Sequence, residues 1–236
     1  MSRFDFPITR YLSGILLPAF LRVRITPNTV TIIGLIIGLL SAFLFLAPDS
    51  YPISKFSTDY FLHVAAALLL CLYYILDCVD GEVARAKEMT SALGKGLDDV
   101  ADWLVHTAVF LALGLSYFQS TNDRLWAWFG IAAAIGSTMN FLIAMMLDLR
   151  GFLKKKRSQS GDEKITHISQ LEKTWDRALF VFRELFRFDF CFILLFLSLL
   201  GIPWLILPLA AVGAQFYWLC AFFKVTRNFK PCPLIL

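Results

Sequence analysis

Four aspartates inside an otherwise apolar chain are the residues best suited to chemistry. Asp77 and Asp80 are three positions apart, and Asp98 and Asp102 are four apart. If both segments are helical, each pair projects from one helix face. Carboxylate oxygens are the hard ligands that Mg²⁺ and Mn²⁺ prefer, and Mg²⁺ sites are usually completed by substrate phosphates. The pattern predicts a site for two divalent ions with all four aspartates as ligands.

Small and basic residues stand at fixed distances from these aspartates. Gly81 and Ala84 are small, so a ligand could approach the helix closely there, and Arg85 offers a guanidinium suited to phosphate. The whole pattern is D-x-x-D-G-x-x-A-R-x(8)-G-x-x-x-D-x-x-x-D over residues 77–102. It fits every fixed position of the signature of the CDP-alcohol phosphotransferase (CDP-alcohol phosphatidyltransferase) family, class I, whose members are integral membrane proteins. The chain therefore resembles that family.

The resemblance implies a reaction in phospholipid or polar-headgroup biosynthesis. An alcohol hydroxyl attacks the β-phosphorus of a CDP-linked donor, either CDP-diacylglycerol or a CDP-alcohol, and CMP is released without a covalent intermediate. Asp102 matches the aspartate assigned as general base, which also contacts metal. Gly81, Ala84 and Arg85 are then the residues on the nucleotide side. Ser91 and Gly94 also correspond to the nucleotide pocket, where glycine lets the backbone and the cytidine come close.

A helix start precedes the first apolar segment. In Thr26-Pro27-Asn28, proline suits the first helical turn, and threonine or asparagine can accept hydrogen bonds from free N–H groups. Such a helix N-terminus favours phosphate. The segment is similar to the T-P-N-x-x-T element of the family, which contacts the donor diphosphate, so Asn28 and Thr31 are expected to bind the donor. An ordinary capped helix start is the alternative.

The composition is that of a membrane protein, because 58% of the residues are hydrophobic and only 17% are charged. This predicts an all-α integral membrane protein. An amphipathic interfacial helix is expected over residues 7–22, where Pro18 would kink or divide it. We expect one domain, 1–236, with a juxtamembrane segment at 1–28, a bundle at 29–225 and a cytoplasmic tail at 226–236. Six stretches are long enough to span a ~30 Å hydrocarbon core: 29–48, 60–84, 94–119, 125–148, 178–201 and 203–225.

The distribution of positive charge predicts the orientation. Of 22 lysines and arginines, only Lys55 and Arg124 lie in the segments after the first and third spans. The positive-inside rule then places both termini and the acidic motif in the cytoplasm. The net charge of +4 suits contact with anionic lipids and anionic substrates. Membrane lipids and the two substrates are the expected partners, and nucleic acid is not.

The acceptor alcohol is less defined than the donor. Arg150 follows the fourth span at its cytoplasmic end, where some family members that accept sugar or polyol phosphates have basic residues. Arg187 and Asp189 are similar to a basic-acidic element of inositol-phosphate-type members. The resemblance thus implies Arg150 and Arg187 as acceptor-binding residues. The alternative is a diacylglycerol acceptor with a soluble CDP-alcohol donor, and the role of the basic linker 150–177 stays open.

Two other classes of protein also place charges in a membrane bundle. A cation or proton transporter would have acids near the bilayer midplane and often inverted repeats, whereas these acids lie at helix ends and no repeat is present. A membrane scaffold that uses the basic linker would not need the acidic signature. Gly34-x-x-x-Gly38 is typical of close packing within one chain or in a homodimer. The spacing of the histidines, His106 among them, assigns them no role.

Overall fold

The computed structural model describes residues 8–23, 25–47, 58–158 and 190–227. Seven α-helices follow one another in these segments, and a short 3-10 turn, Pro203–Leu205, precedes the last of them. We name the helices α1 (Ile8–Arg22), α2 (Pro27–Phe45), α3 (Thr58–Ala86), α4 (Ala92–Thr121), α5 (Arg124–Ser158), α6 (Phe190–Leu200) and α7 (Ile206–Arg227).

The prediction of an all-α membrane protein is confirmed. Among the described residues, five helical segments are long and apolar enough to cross a membrane: α2, α3, α4, Arg124–Leu147 and Pro203–Cys220. The 19 residues of α2 span about 28 Å, which matches the hydrocarbon core. Of the predicted span at 178–201, only residues 190–201 are described, and 11 of these form α6. The total of six spans therefore stays a prediction.

The N-terminal helix α1 covers most of the segment predicted to be amphipathic. It packs on α3, where Leu16, Leu17 and Phe20 cover the cluster that contains Val79 and Val83. The division expected at Pro18 is not seen, because the helix runs from Ile8 to Arg22 with the proline inside it. Burial of one apolar face against α3 stabilises a helix that is short by itself.

Glycines set the spacing of the bundle. A Cβ on Gly38 would lie 2.6 Å from Cγ2 of Val105, so the glycine lets α2 approach α4 closely. Gly34 lies against Tyr73 and Leu76 of α3 at ordinary contact distance. The Gly34-x-x-x-Gly38 pattern thus serves packing within the chain. A Cβ on Gly114 would lie only 2.9 Å from the Cα of Gly130, which brings the α4 and α5 backbones together.

These contacts fix the order of the helices. Helix α2 packs against α3 and α4, α5 packs against α4 and α7, and α6 packs against α3. The outer face of α2 carries exposed Ile36 and Phe43, as expected of a surface that meets lipid. The C-terminal end of α3 and the N-terminal ends of α2 and α4 meet at one end of the bundle, and this end holds the acidic motif.

Candidate metal and donor site

Three of the four signature carboxylates converge from two helices. Asp77 and Asp80 of α3 and Asp98 of α4 each offer an oxygen, and these oxygens lie within 4.8 Å of one another. The three-residue and four-residue spacings turn both pairs toward the facing helix. Asp80 is buried, with 4% of its surface exposed, and the other two are half-buried. Three hard oxygen donors at this separation fit a divalent cation such as Mg²⁺ or Mn²⁺.

The first turns of α2 support one of these ligands. The Thr31 hydroxyl donates to Oδ2 of Asp80, which lies 49 positions away in the sequence. The same hydroxyl lies 3.2 Å from the carbonyl oxygen of Pro27, one turn earlier. Thr31 is 8% exposed, so bulk water does not compete for the carboxylate. The sequence predicts Thr31 as a donor-binding residue, and the structure shows its hydroxyl on Asp80.

The fourth carboxylate has a different partner. Asp102 is not a member of the three-residue group. Its Oδ1 accepts a hydrogen bond of 2.8 Å from the buried Tyr73 hydroxyl. Nδ1 of His106 lies 2.8 Å from the Asp102 carbonyl oxygen, and Nε2 of His106 lies 2.5 Å from the Tyr74 hydroxyl. Asp102 therefore sits within a polar network beneath the three carboxylates.

Two capped helix starts adjoin the carboxylates. Thr26 caps α2 by accepting from the Thr29 N–H at 3.3 Å, as predicted, with Pro27 in the first turn. Ser91 caps α4 by accepting from the Gly94 N–H at 2.9 Å. A Cβ on Gly94 would lie 3.1 Å from Oδ1 of Asn28, so glycine is needed where the two helix starts meet. Free N–H groups at such ends suit an anionic diphosphate.

Basic residues at the end of α3 complete this end of the bundle. The Arg85 guanidinium lies over Gly81: a Cβ built on Gly81 would be 3.3 Å from Nη1 of Arg85. Lys87 donates from Nζ to the carbonyl oxygens of Val23 at 3.0 Å and Ile25 at 2.9 Å. These two bonds tie α3 to the linker that leads into α2. Lys87 thereby holds the α2 N-terminus against the acidic end of α3.

A sequence profile of CDP-alcohol phosphatidyltransferases matches residues 24–226, which include the whole site. The chain belongs to the CDP-alcohol phosphatidyltransferase family. The bifunctional IPC transferase and DIPP synthase of Aquifex aeolicus is 31% identical over 164 residues, which are 67% of this chain and 35% of that protein. The Thermococcus kodakarensis protein of the same name is 35% identical over 116 residues, or 49% of this chain and 23% of its own length.

Other relatives extend the comparison. Cholinephosphotransferase 1 of Mus musculus is 32% identical over 115 residues, or 49% of this chain and 27% of that protein. The matched segments thus cover about a third or less of these curated relatives. Among solved structures, the phosphatidylinositol phosphate synthase of Mycobacterium tuberculosis with CDP-DAG bound aligns over 94% of this chain and 91% of that chain. Its TM-score is 0.51 at 19% identity, which shows a shared fold.

The family signature explains which site residues could be found in the sequence. The structure brings together Asp77, Asp80 and Asp98, and it places Asn28 beside Gly94. Gly81, Ala84 and Arg85 follow on α3, and Ser91 forms the cap of α4. Their donor-binding role stays a prediction.

Three polar residues of the site lie outside the signature: Tyr73, Lys87 and His106. Tyr73 precedes Asp77 by one helical turn on the same face, so helical spacing could have indicated it. His106 follows Asp102 by one turn in the same way, but no local pattern identifies Tyr74 as its other partner or Val23 and Ile25 as the partners of Lys87. Of the predicted acceptor residues, Arg150 lies in α5 but its side chain is outside the described residues, and Arg187 lies wholly outside them.

Proposed function

We propose that this protein transfers a substituted phosphate group from a CDP-linked donor to an alcohol acceptor and releases CMP, in phospholipid or polar-headgroup biosynthesis. The observation that carries the proposal is the convergence of Asp77, Asp80 and Asp98 beside the N-terminus of α2. A carboxylate cluster next to free helix N–H groups pairs a cation site with an anion site. That combination suits a diphosphate bound together with divalent ions.

The residues divide into two groups by chemistry. Asp77, Asp80 and Asp98, joined by Asp102, would hold two divalent ions, either Mg²⁺ or Mn²⁺. When bound, such ions neutralise a diphosphate and the charge that develops on the leaving CMP. The α2 N-terminus with Asn28 and the residues Gly81, Ala84, Arg85, Ser91 and Gly94 would bind the CDP moiety.

Proton transfer is assigned to Asp102. A general base must reach the hydroxyl that attacks phosphorus and must be held in a fixed orientation. Asp102 is half-buried, adjoins the cluster by one turn from Asp98, and is held through Oδ1 by Tyr73. Its second carboxylate oxygen is the one assigned to accept the proton of the alcohol.

We place the site at the cytoplasmic face. Arg22, Arg85, Lys87 and Lys95 belong to the end of the bundle that holds the carboxylates, and Arg124 begins α5 at the other end. This asymmetry supports a cytoplasmic site by the positive-inside rule. A cytoplasmic site would also meet soluble nucleotide products and substrates directly.

Two acceptors are compatible with the family. The similarity to the IPC transferase and DIPP synthases supports an inositol-phosphate-type acceptor, for which sequence resemblance assigns Arg150 and Arg187. The similarity to cholinephosphotransferase 1 supports the alternative of a diacylglycerol acceptor and a soluble CDP-alcohol donor. An anionic polyol phosphate would make acceptor KM sensitive to Arg150→Gln and Arg187→Gln, because guanidinium binds phosphate bidentately.

The test measures CMP release by purified protein in detergent. One arm offers CDP-diacylglycerol with a panel of alcohols that includes inositol phosphate, and the other offers CDP-choline or CDP-ethanolamine with diacylglycerol. We expect turnover in one arm, its loss with EDTA, and its return with Mg²⁺ or Mn²⁺. Full turnover in metal-free buffer would contradict the metal-dependent mechanism.

Adjacent aspartates provide the matched control. Asp98→Asn removes a charge from the three-carboxylate group and should lower kcat by about 100-fold or more. This loss equals or exceeds the usual effect of removing a group that only hydrogen-bonds to a metal ligand. Asp99→Asn removes the same charge from the next position, outside the signature, and should retain turnover. Equal losses in the two variants would indicate a general effect of charge on the helix. Cation flux into vesicles without CMP release would favour a transporter instead.

A further inference from the structure

We propose that Tyr73 is a positioning residue for Asp102, and that the Gly34 and Gly38 surface of α2 sets the direction of its hydroxyl. This inference rests on the proposed function, because it assigns a role to a residue that acts through the general base. It adds a residue outside the family signature, and it gives the Gly34-x-x-x-Gly38 pattern a role in the site.

The ring of Tyr73 lies against glycine. A Cβ on Gly38 would be 3.2 Å from Cδ2 of Tyr73, and one on Gly34 would be 3.6 Å from the same atom. A side chain at position 38 would therefore crowd both this ring and Val105 of α4, whose Cγ2 would be 2.6 Å away. The absence of a side chain at Gly34 and Gly38 leaves space for the Tyr73 ring beside α2.

The confined ring directs its hydroxyl to one carboxylate. Tyr73 is 2% exposed, and its hydroxyl donates to Oδ1 of Asp102 at 2.8 Å. Tyr73 lies one helical turn before Asp77, so it occupies the layer directly beneath the cluster. A hydrogen bond to a charged group is stronger than one between neutral groups, and water cannot replace it at this depth. The bond fixes the orientation of the Asp102 carboxylate through Oδ1.

The neighbouring tyrosine has a different target and serves as the control. Tyr74 is also buried, with 1% exposure, but its hydroxyl meets Nε2 of His106 at 2.5 Å. His106 contacts the main-chain carbonyl oxygen of Asp102 and not its carboxylate. Tyr73→Phe and Tyr74→Phe therefore each remove one buried hydroxyl from α3, and the first removes the bond to Oδ1 of the Asp102 carboxylate.

The experiment compares both variants with wild type in the CMP-release assay. Tyr73→Phe should lower kcat by about 10- to 100-fold while the donor Kd stays unchanged, and the loss of Mn²⁺ affinity, measured from the signal of free Mn²⁺ in electron paramagnetic resonance, should be smaller than the loss of kcat. Tyr74→Phe, which leaves the Tyr73 bond to Oδ1 of Asp102 in place, should lower kcat less than Tyr73→Phe does. Phenylalanine keeps the ring in each case and each variant loses one buried hydrogen bond, so the two variants should unfold at similar temperatures.

A double variant tests whether the effect passes through Asp102. In Asp102→Asn, the added Tyr73→Phe change should alter kcat by less than about twofold, because the group that Tyr73 orients is already inactive. Independent losses that multiply in the double variant would overturn the inference. An unchanged kcat in Tyr73→Phe, or equal losses in the two tyrosine variants, would overturn it as well. Wild-type protein that releases no CMP from any CDP-linked donor would overturn the proposed function itself.

Discussion

Replacing Thr31 by valine tests the link between the α2 N-terminus and the metal site. Valine keeps the shape of the buried side chain but removes the hydroxyl that donates to Oδ2 of Asp80. Thr31 is 8% exposed and Asp80 is 4% exposed, so water has little access to replace the lost donor. Because this carboxylate oxygen loses its hydrogen-bond donor, the free energy of unfolding of the metal-free protein should fall by about 1–3 kcal/mol.

The same change should weaken metal binding. Groups that hydrogen-bond to a metal ligand typically contribute 10- to 100-fold to metal affinity or activity. Because Thr31 and Asp80 are both buried, we expect an effect in the upper part of this range. The assay is a Mn²⁺ titration in which the free ion is followed by electron paramagnetic resonance, together with the Mn²⁺ concentration that gives half-maximal CMP release.

Thr29→Val is the matched control on the same helix. Thr29 is exposed, and its hydroxyl meets that of Thr26 at 2.8 Å, away from the carboxylates. Its replacement should leave Mn²⁺ affinity unchanged. An unchanged Mn²⁺ affinity in Thr31→Val would refute the assigned role of this hydroxyl. If donor KM rose instead while metal affinity stayed constant, Thr31 would be a donor-binding residue, as the sequence predicted.

Three further variants test other parts of the structure. Gly114→Ala should destabilise the protein by about 1–3 kcal/mol, since its Cβ would meet the α5 backbone at 2.9 Å. Gly96→Ala on the same helix would place its Cβ with no atom within 4 Å and should stabilise the protein by up to about 1 kcal/mol. Denaturation in detergent measures the stability of both variants. Lys87→Met should raise donor KM by up to about tenfold, because the linker before α2 loses two hydrogen bonds from a charged donor. Lys87→Arg keeps the charge and serves as the control, so equal donor KM values in the two variants would contradict this role. Asp102→Asn should retain donor binding and lower kcat by about 10²- to 10⁴-fold, while equal losses of binding and rate would identify Asp102 chiefly as a metal ligand.

The sequence alone established the features that depend on neighbouring residues. The pairs Asp77/Asp80 and Asp98/Asp102 share helix faces because helical periodicity is local. The Thr26 cap and the apolar lengths of the spans follow from short stretches of sequence in the same way. The family signature then connected these local features to CDP-linked chemistry before any contact between helices was known.

Only the tertiary structure decided which helices supply each partner. Thr31 meets Asp80 across 49 positions, and Lys87 reaches the linker before α2. The glycines of α2 pack on Tyr73 and α4 within the chain, a choice that the Gly34-x-x-x-Gly38 pattern left open. Such contacts depend on the separation and rotation of packed helices, which are set by the sum of many side-chain volumes. No single stretch of sequence contains that information, so the groups that hydrogen-bond to the site carboxylates and to the linker before α2 are known only from the folded bundle.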